Sequence, residues 1–354
     1  MTRKNIILGG IATAFFFIAI AIFINTISPN TISRNNQAVQ NGSANKSPDS
    51  YIVTVAADYG ANLHTDKILD AIRKIGPGAN ISLGDFAYNE LPSENKWCDY
   101  IKTFIDTNKI KFYLVSGNHE SNGIDGYIEN YLKCLPQPAG TVGEEGKEYY
   151  FDFPTGKKPL ARFILISPEL QFSDGSTYSY VQGTKHFKWL GEAIDDARQS
   201  GIKWIIVGMH KDCVRPMRYA CETKPQLVNY LIQKNVDLIL QAHAHSYMRT
   251  RQLKCLLATE RGVAYDESCV IKNRLSNVYK RGSGPLIVVN SSAGRSVRLM
   301  SSSDNSSNYF EKFMKSNDEA VFGFLKLTLT EDRIRGEFIS PESNSFSDTF
   351  VIKP

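Results

Sequence analysis

Five short apolar runs in this chain end on side chains able to hold a metal ion. VTVAA stops at Asp58, NISLG at Asp85, FYLVSG at Asn118 and His119, WIIVGM at His210, and DLILQA at His243, with His245 two residues on. Four of the chain's six histidines stand at such ends, which a chance scatter would not produce. Carboxylate, amide and imidazole donors without thiolate suit iron, manganese or zinc better than calcium or copper(I). There are enough of them for two cations sharing one carboxylate. Paired cations about 3.5–4 Å apart recur in phosphoryl hydrolysis, where they acidify a water and clamp the attacking oxygen and the phosphate.

The elements that must position these residues alternate in type. Tyr51–Ala57, Asn80–Leu83, Lys111–Val115, Ala161–Ser167, Lys203–Val207 and Val236–Leu240 read as strands, short and rich in apolar and β-branched residues. Between them, Thr65–Ile75 carries Ile68, Leu69, Ile72 and Ile75 at helical spacing, and Asn95–Thr107, Thr184–Ser200 and Pro225–Asn235 also read as helices. The last third is richer in strands, at Pro285–Asn290, Gly323–Thr330, Arg333–Ile339 and Thr349–Ile352. This order predicts an α/β fold with layered sheets. In such sheets functional groups gather at the carboxyl ends of the strands, where the candidate ligands stand. Cys255–Lys280 lacks a clean period and reads as an insertion between strands, and Ser301–Asn308 as a polar, mobile loop.

Asp58-Tyr59-Gly60, Gly84-Asp85-Phe86-Ala87-Tyr88, Gly117-Asn118-His119-Glu120, His210 and His243-Ala244-His245 together resemble the calcineurin-like metallophosphoesterases across most of residues 51–250. Gly323-Phe324-Leu325 and Asp348-Thr349-Phe350 are similar to that family's closing β segment. Within the family the chain looks most like the purple acid phosphatases. Its first block is Asp-x-Gly rather than Asp-x-His, and Tyr88 follows Asp85 by three residues, where that branch uses a tyrosinate. The resemblance implies a metallophosphatase-type fold, a layered β-sandwich flanked by helices. It also implies a ferric ion on Asp58, Tyr88 and His245 and a divalent ion (iron, zinc or manganese) on Asn118, His210 and His243, with Asp85 bridging. A metal-bound hydroxide would attack a phosphate monoester, and His119 would donate a proton to the leaving oxygen or hold the phosphate. Tyrosinate on ferric iron should absorb visible light.

The chain departs from that pattern in places. Ala57 and Ala242 stand where the family usually has glycine, and Lys211-Asp212-Cys213-Val214-Arg215-Pro216 follows His210 without the branch's further substrate-facing histidine. Ordinary roles compete as well. Asp58 and Asp85 could cap turns, Tyr88 could be core, and His119 could orient Asn118 or a neighbouring carboxylate. His64 fits a cap or surface role and His186 a structural one, while Lys211, Arg215 and Arg249 could bind phosphate or be surface charges or structural ion pairs.

The N-terminus has its own physics. Ile6–Ile24 carries no charge, and as a helix it would span roughly 28 Å, close to a bilayer's hydrocarbon core. Arg3 and Lys4 precede it, so the positive-inside rule puts the remainder outside the membrane. A cleaved signal peptide is the rival, but its apolar region is normally about 7–15 residues. The expected organisation is an anchor over 1–27, a flexible polar linker over 28–50 and a catalytic domain over 51–354. Formal charge is +5 overall, and residues 1–50 hold a surplus of three, so the folded part offers no electrostatic case for nucleic-acid binding. Six cysteines suit an exported protein. They allow 15 pairings; near neighbours suggest Cys98 with Cys134, Cys213 with Cys221, and Cys255 with Cys269. Asn41, Asn45, Asn80, Asn290 and Asn305 open glycosylation sequons.

The expected protein is therefore an exported, membrane-tethered phosphatase with two metal ions and a phosphate ester as substrate. A secreted form is the alternative in location. A phosphodiesterase or nucleotide hydrolase on the same site, or a catalytically silent binding protein, are the alternatives in function.

Overall fold

Short apolar runs become strands, the central ones buried on both faces, and they stack as two sheets flanked by helices. The computed structural model describes residues 49–354 except 157, 217–220, 260–261, 274 and 276. The expected anchor and all but the last two residues of the linker lie outside the described residues. Among the described residues no helix is long and apolar enough to cross a membrane.

The first sheet runs in the order Val278–Lys280, Asp348–Lys353, Ile334–Ile339, Phe324–Leu329, Tyr51–Ala56, Ala79–Ser82, Lys111–Leu114. The second runs Phe310–Phe313, Tyr247–Thr250, Leu286–Asn290, Leu238–Gln241, Trp204–Met209, Ala161–Ile166, Glu148–Phe153, Val142–Glu144. Both are mixed. In the first, Tyr51–Ala56, Ala79–Ser82 and Lys111–Leu114 are mutually parallel neighbours. In the second, Ala161–Ile166, Trp204–Met209, Leu238–Gln241 and Leu286–Asn290 are.

Alternation along each strand assigns its side chains to different layers. Val53, Val55, Trp204, Ile206, Leu238 and Leu240 meet in one buried apolar cluster, together with Ala57 and Ala242. Both alanines are therefore absorbed into the core behind the site. Ala56, Ile205, Val207 and Ile239 face another cluster, which takes in the apolar faces of the helices. Helix Leu63–Ile75 starts at Asn62, whose side chain accepts from the amides of His64 (3.0 Å) and Thr65 (3.3 Å), and stops at left-handed Gly76. It buries Ile68, Leu69 and Ile72. Helix Glu94–Phe104 brings in Trp97, stacked 4.9 Å from Phe86 and edge-on to Tyr131 at 5.5 Å. Truncating a buried aromatic of this kind to alanine costs about 3–5 kcal/mol.

The three near-neighbour cysteine pairs are bridged: Cys98–Cys134, Cys213–Cys221 and Cys255–Cys269. Some boundaries differ from expectation. The helix expected over Asn95–Thr107 is Glu94–Phe104. The insertion contains a hairpin, Leu257–Thr259 with Gly262–Ala264, and its end, Val278–Lys280, joins the edge of the first sheet. Part of the loop expected at Ser301–Asn308 is tied down, since Asn305–Tyr309 is a 3-10 turn and Ser306 Oγ donates to the Arg215 carbonyl (3.0 Å). Asn80 and Asn290 are buried within strands, so their sequons cannot accept a glycan.

Candidate active site

Parallel strands deliver the candidate residues to one edge of the sandwich, and short backbone bonds hold the turns there. The amide of Asp58 donates to Gly84 O (3.2 Å) and that of Tyr59 to Asp85 O (3.1 Å), joining the first two turns. Ala242 N donates to His210 O (2.9 Å), joining two more. Asp58, Asp85, Tyr88, His243 and His245 have φ of 61°, 54°, 50°, 67° and 54°. Left-handed backbone is uncommon for residues with a Cβ and persists where the surroundings impose it, often at functional sites. Two glycines make room: a Cβ on Gly84 would lie 2.4 Å from Gly117 N, and one on Gly117 would lie 2.0 Å from Asp85 Oδ1.

The seven residues expected as ligands converge. Tyr88 Oη lies 2.6 Å from Asp58 Oδ1, 3.1 Å from Asp85 Oδ2 and 3.2 Å from His245 Nε2. Beside this group, His210 Nε2 lies 3.2 Å from Asp85 Oδ2, 3.1 Å from Asn118 Oδ1 and 3.1 Å from His243 Nδ1. Asp85 Oδ2 belongs to both groups. Metal bonds of about 2.0–2.2 Å would set neighbouring donors about 3–3.4 Å apart. The His210 group has that spacing, as do the Tyr88 distances to Asp85 (3.1 Å) and His245 (3.2 Å), while the 2.6 Å from Tyr88 Oη to Asp58 is that of a phenol hydrogen bond.

The second atom of most of these side chains is held by the protein, which aims the first. Asp58 Oδ2 accepts from Ser291 Oγ (2.6 Å) and His243 N (3.2 Å). Asp85 Oδ1 accepts from His119 N (3.1 Å). His210 Nδ1 lies 2.7 Å from Leu83 O, so it carries the hydrogen and Nε2 faces the site. His245 Nδ1 meets Ser296 Oγ (2.5 Å), and His243 Nε2 meets Glu222 Oε1 (3.2 Å).

Charge is concentrated here. Burial raises the Asp85 carboxyl, but the His210 and His119 imidazoles outweigh it and hold the group well below the usual carboxylate range. Burial lowers His210, yet Asp85 more than compensates and lifts it to about 10. In the metal-free protein a proton on His210 Nε2 thus sits where a cation would. Burial, Asp58 and Asp85 together push the Tyr88 phenol far above its ordinary value, so a phenolate requires added positive charge. Burial holds His245 below the ordinary imidazole value, and Arg298 adds to this.

His119 stands at the mouth, its Nε2 3.6 Å from Asp85 Oδ2 and its Nδ1 paired with the buried Asp125 carboxylate. Glu120 lies behind: its carboxylate accepts from the amides of Asp85 (2.9 Å), Phe86 (2.7 Å) and Gly117 (3.0 Å), pinning both turns. Burial and Asp85 push Glu120 up to about 8, against the Phe86 and Gly117 amides and the His210 charge. A cavity of about 490 Å³ opens over the donors, lined also by Arg295, Ser296 and Arg298. Arg295 pairs with Glu90 (2.8 Å) and lies over the Tyr88 ring, 4.9 Å from its centroid.

Asp125, Glu222, Ser291, Ser296, Arg295 and Arg298 had not been singled out from the sequence. Ser291 and Ser296 had a usable signal, because VNSSAGRSVR is a sixth apolar run breaking into polar residues. Glu120 was visible within its block, but its role was not. The remaining candidates are structural. His64 stacks on Phe322 and pairs with Glu342 (2.8 Å), and His186 meets Glu148 (3.0 Å). Lys211 Nζ donates to Glu169 O (3.1 Å), while Arg215 and Arg249 are buried against Asp212 and Asp348.

Comparison with known proteins agrees with this geometry. A family profile described as calcineurin-like phosphoesterase matches residues 53–247. An uncharacterized protein of Mycobacterium tuberculosis is 25% identical over 204 residues, covering 54% of this chain and 38% of its own length. Purple acid phosphatase 23 of Arabidopsis thaliana is 20% identical over 244 residues, covering 58% of this chain and 50% of its own length. The chain thus spans half or less of these curated relatives. Among solved structures, the purple acid phosphatase PPD1 of yellow lupin seeds has a TM-score of 0.62 at 17% identity, over 86% of this chain and 54% of that one. GAP50, described as the anchor in the inner membrane complex of Plasmodium, has a TM-score of 0.52 at 15% identity, over 86% and 90% respectively. At such identities the likeness is one of fold.

Proposed function

The chain belongs to the calcineurin-like phosphoesterase family, and from that premise we propose that it hydrolyses phosphate monoesters with two cations, in the manner of a purple acid phosphatase. One observation carries the reading: Asp85 Oδ2 is common to two converging sets of donors. Asp58, Tyr88 and His245 would hold a ferric ion, and Asn118, His210 and His243 a divalent iron, zinc or manganese, with Asp85 between them. When bound, the pair supplies Lewis acidity, acidifying water and drawing charge from the phosphoryl group.

The chain's own residues do the rest. Asp125 holds the Nδ1 hydrogen of His119, which leaves Nε2 facing the cavity; as the imidazolium, the ring passes its Nε2 proton to the leaving oxygen and returns to the neutral Nδ1–H form. Ser291, Ser296 and Glu120 fix the donors and their turns, so little reorganisation accompanies reaction. Arg298, exposed at the rim, offers positive charge to an incoming phosphate.

Export is part of the proposal. Three disulfides suit an oxidising compartment, and the uncharged run Ile6–Ile24 would tether the domain to the membrane. The substrate class is tested with nitrophenyl phosphate against its bis-ester on metal-loaded protein. Faster turnover of the monoester is expected; activity mainly on the diester would replace the reading with a phosphodiesterase.

A further inference from the structure

His243 differs from the other two imidazoles of the site. His210 and His245 present Nε2 to their neighbours, whereas His243 presents Nδ1, 3.1 Å from His210 Nε2. Its other nitrogen meets a carboxylate, Glu222 Oε1 at 3.2 Å. A neutral imidazole has one N–H, and a carboxylate accepts it while offering nothing back. We propose that Glu222 is the positioning residue of the site: it holds His243 in the Nε2–H tautomer and so turns an unprotonated Nδ1 towards Asp85 and His210.

Glu222 is held firmly enough for this task. Its amide donates to Asp212 O (3.1 Å), and its Oε1 also accepts from the Arg215 guanidinium (3.0 Å). Arg215 is in turn gripped by both oxygens of Asp212, a buried residue two places after His210. The Cys213–Cys221 bridge joins the residues next to Asp212 and Glu222. The two arms of the one loop that follows Trp204–Met209 are thus clamped together behind the His243 imidazole. This network occupies the stretch after His210 that lacks the further histidine of the branch the chain resembles.

The inference rests on the proposed metal site for its purpose but not for its test. Metal-free protein labelled with 15N-histidine reports the tautomer directly, at about pH 8, above the ordinary imidazole range. His243 should carry its hydrogen on Nε2 in the wild type and lose that preference in Glu222→Ala. Titration with Mn2+ or Zn2+ alone should show Glu222→Ala binding about 10–100-fold more weakly. Glu222→Gln, which keeps an oxygen acceptor, should recover affinity to within a few-fold. A wild-type His243 protonated on Nδ1, or a Glu222→Ala protein with unchanged tautomer and affinity, would overturn the proposal. If Glu222→Ala does not fold, the wild-type tautomer and Glu222→Gln still decide it. Wild-type protein that takes up no cation would sink the metal reading alone, since the tautomer is read without metal.

Discussion

Removing one oxygen, by Tyr88→Phe, should remove one released proton per chain when the site is loaded with ferric ion. The Tyr88 hydroxyl lies between Asp58 and Asp85, and burial with those two carboxylates raises it far above its ordinary value. Even at the ordinary value of about 10, a tyrosine is only about 0.1% ionised at pH 7, so here the phenol is protonated in full before metal arrives. A tyrosinate ligand must lose that proton, and phenylalanine has none to lose. Contributions from His210, Glu120 and bound water are common to both proteins and cancel in the difference. The assay adds ferric nitrilotriacetate to lightly buffered metal-free protein and counts protons in a pH-stat. The wild type should release about one more proton than the variant, and the pH slope of its log affinity should be steeper by about one. A visible absorption band should form in the wild type only. Equal proton counts, with a band that survives in Tyr88→Phe, would refute the assignment of Tyr88 as ligand.

Four further outcomes follow from the geometry. His210 is raised to about 10 in the metal-free protein, so its proton competes with the divalent ion. Affinity at that corner should fall about tenfold per unit of acidification below about pH 10 and level off above it, as titrations across pH would show. The same raised value means that the His210–Asp85 pair stabilises the metal-free fold fully below the ordinary 6.5 and loses its effect as pH rises through about 10, which denaturant unfolding at several pH values measures. His119→Asn should lower kcat about 10²–10⁴-fold with metal content intact, and Asp125→Asn less in the same direction; unchanged kcat in both would remove His119 from the chemistry. Gly117→Ala would bring a Cβ to 2.0 Å from Asp85 Oδ1 and 2.6 Å from its amide, so metal uptake should be lost, and full stoichiometry in that variant would contradict the packing described.

Most of the donors were legible because they follow directly on strands, which announce themselves by apolar composition and length; Tyr88 came only from the family resemblance. Asp58, Asp85, Asn118 and His210 needed only that rule and a chemically coherent set of types. What faces the donors from behind was not legible, because those contacts join distant segments. Ser291 reaches Asp58 across 233 positions. Asp125 lies only 6 residues from His119, but in a loop without any period to place it. Glu222 is a further case, since its role depends on where Cys213–Cys221 and Arg215 place it rather than on its neighbours in sequence. Tyr247–Thr250 and the hairpin of Val142–Glu144 with Glu148–Phe153 escaped the strand reading because short segments beside glycines and charges show little alternation. By sequence Val278–Lys280 reads as part of the insertion because three residues cannot show a period at all; its pairing with Asp348–Lys353 makes it a strand.

Crystals of protein loaded with iron and zinc, measured on either side of each metal's absorption edge, test the two-cation claim most directly. Two anomalous peaks about 3.5–4 Å apart are expected, with the Asp85 carboxylate between them, Tyr88 beside the iron and His210 beside the zinc. A single peak, or peaks lying away from Asp85, would contradict it.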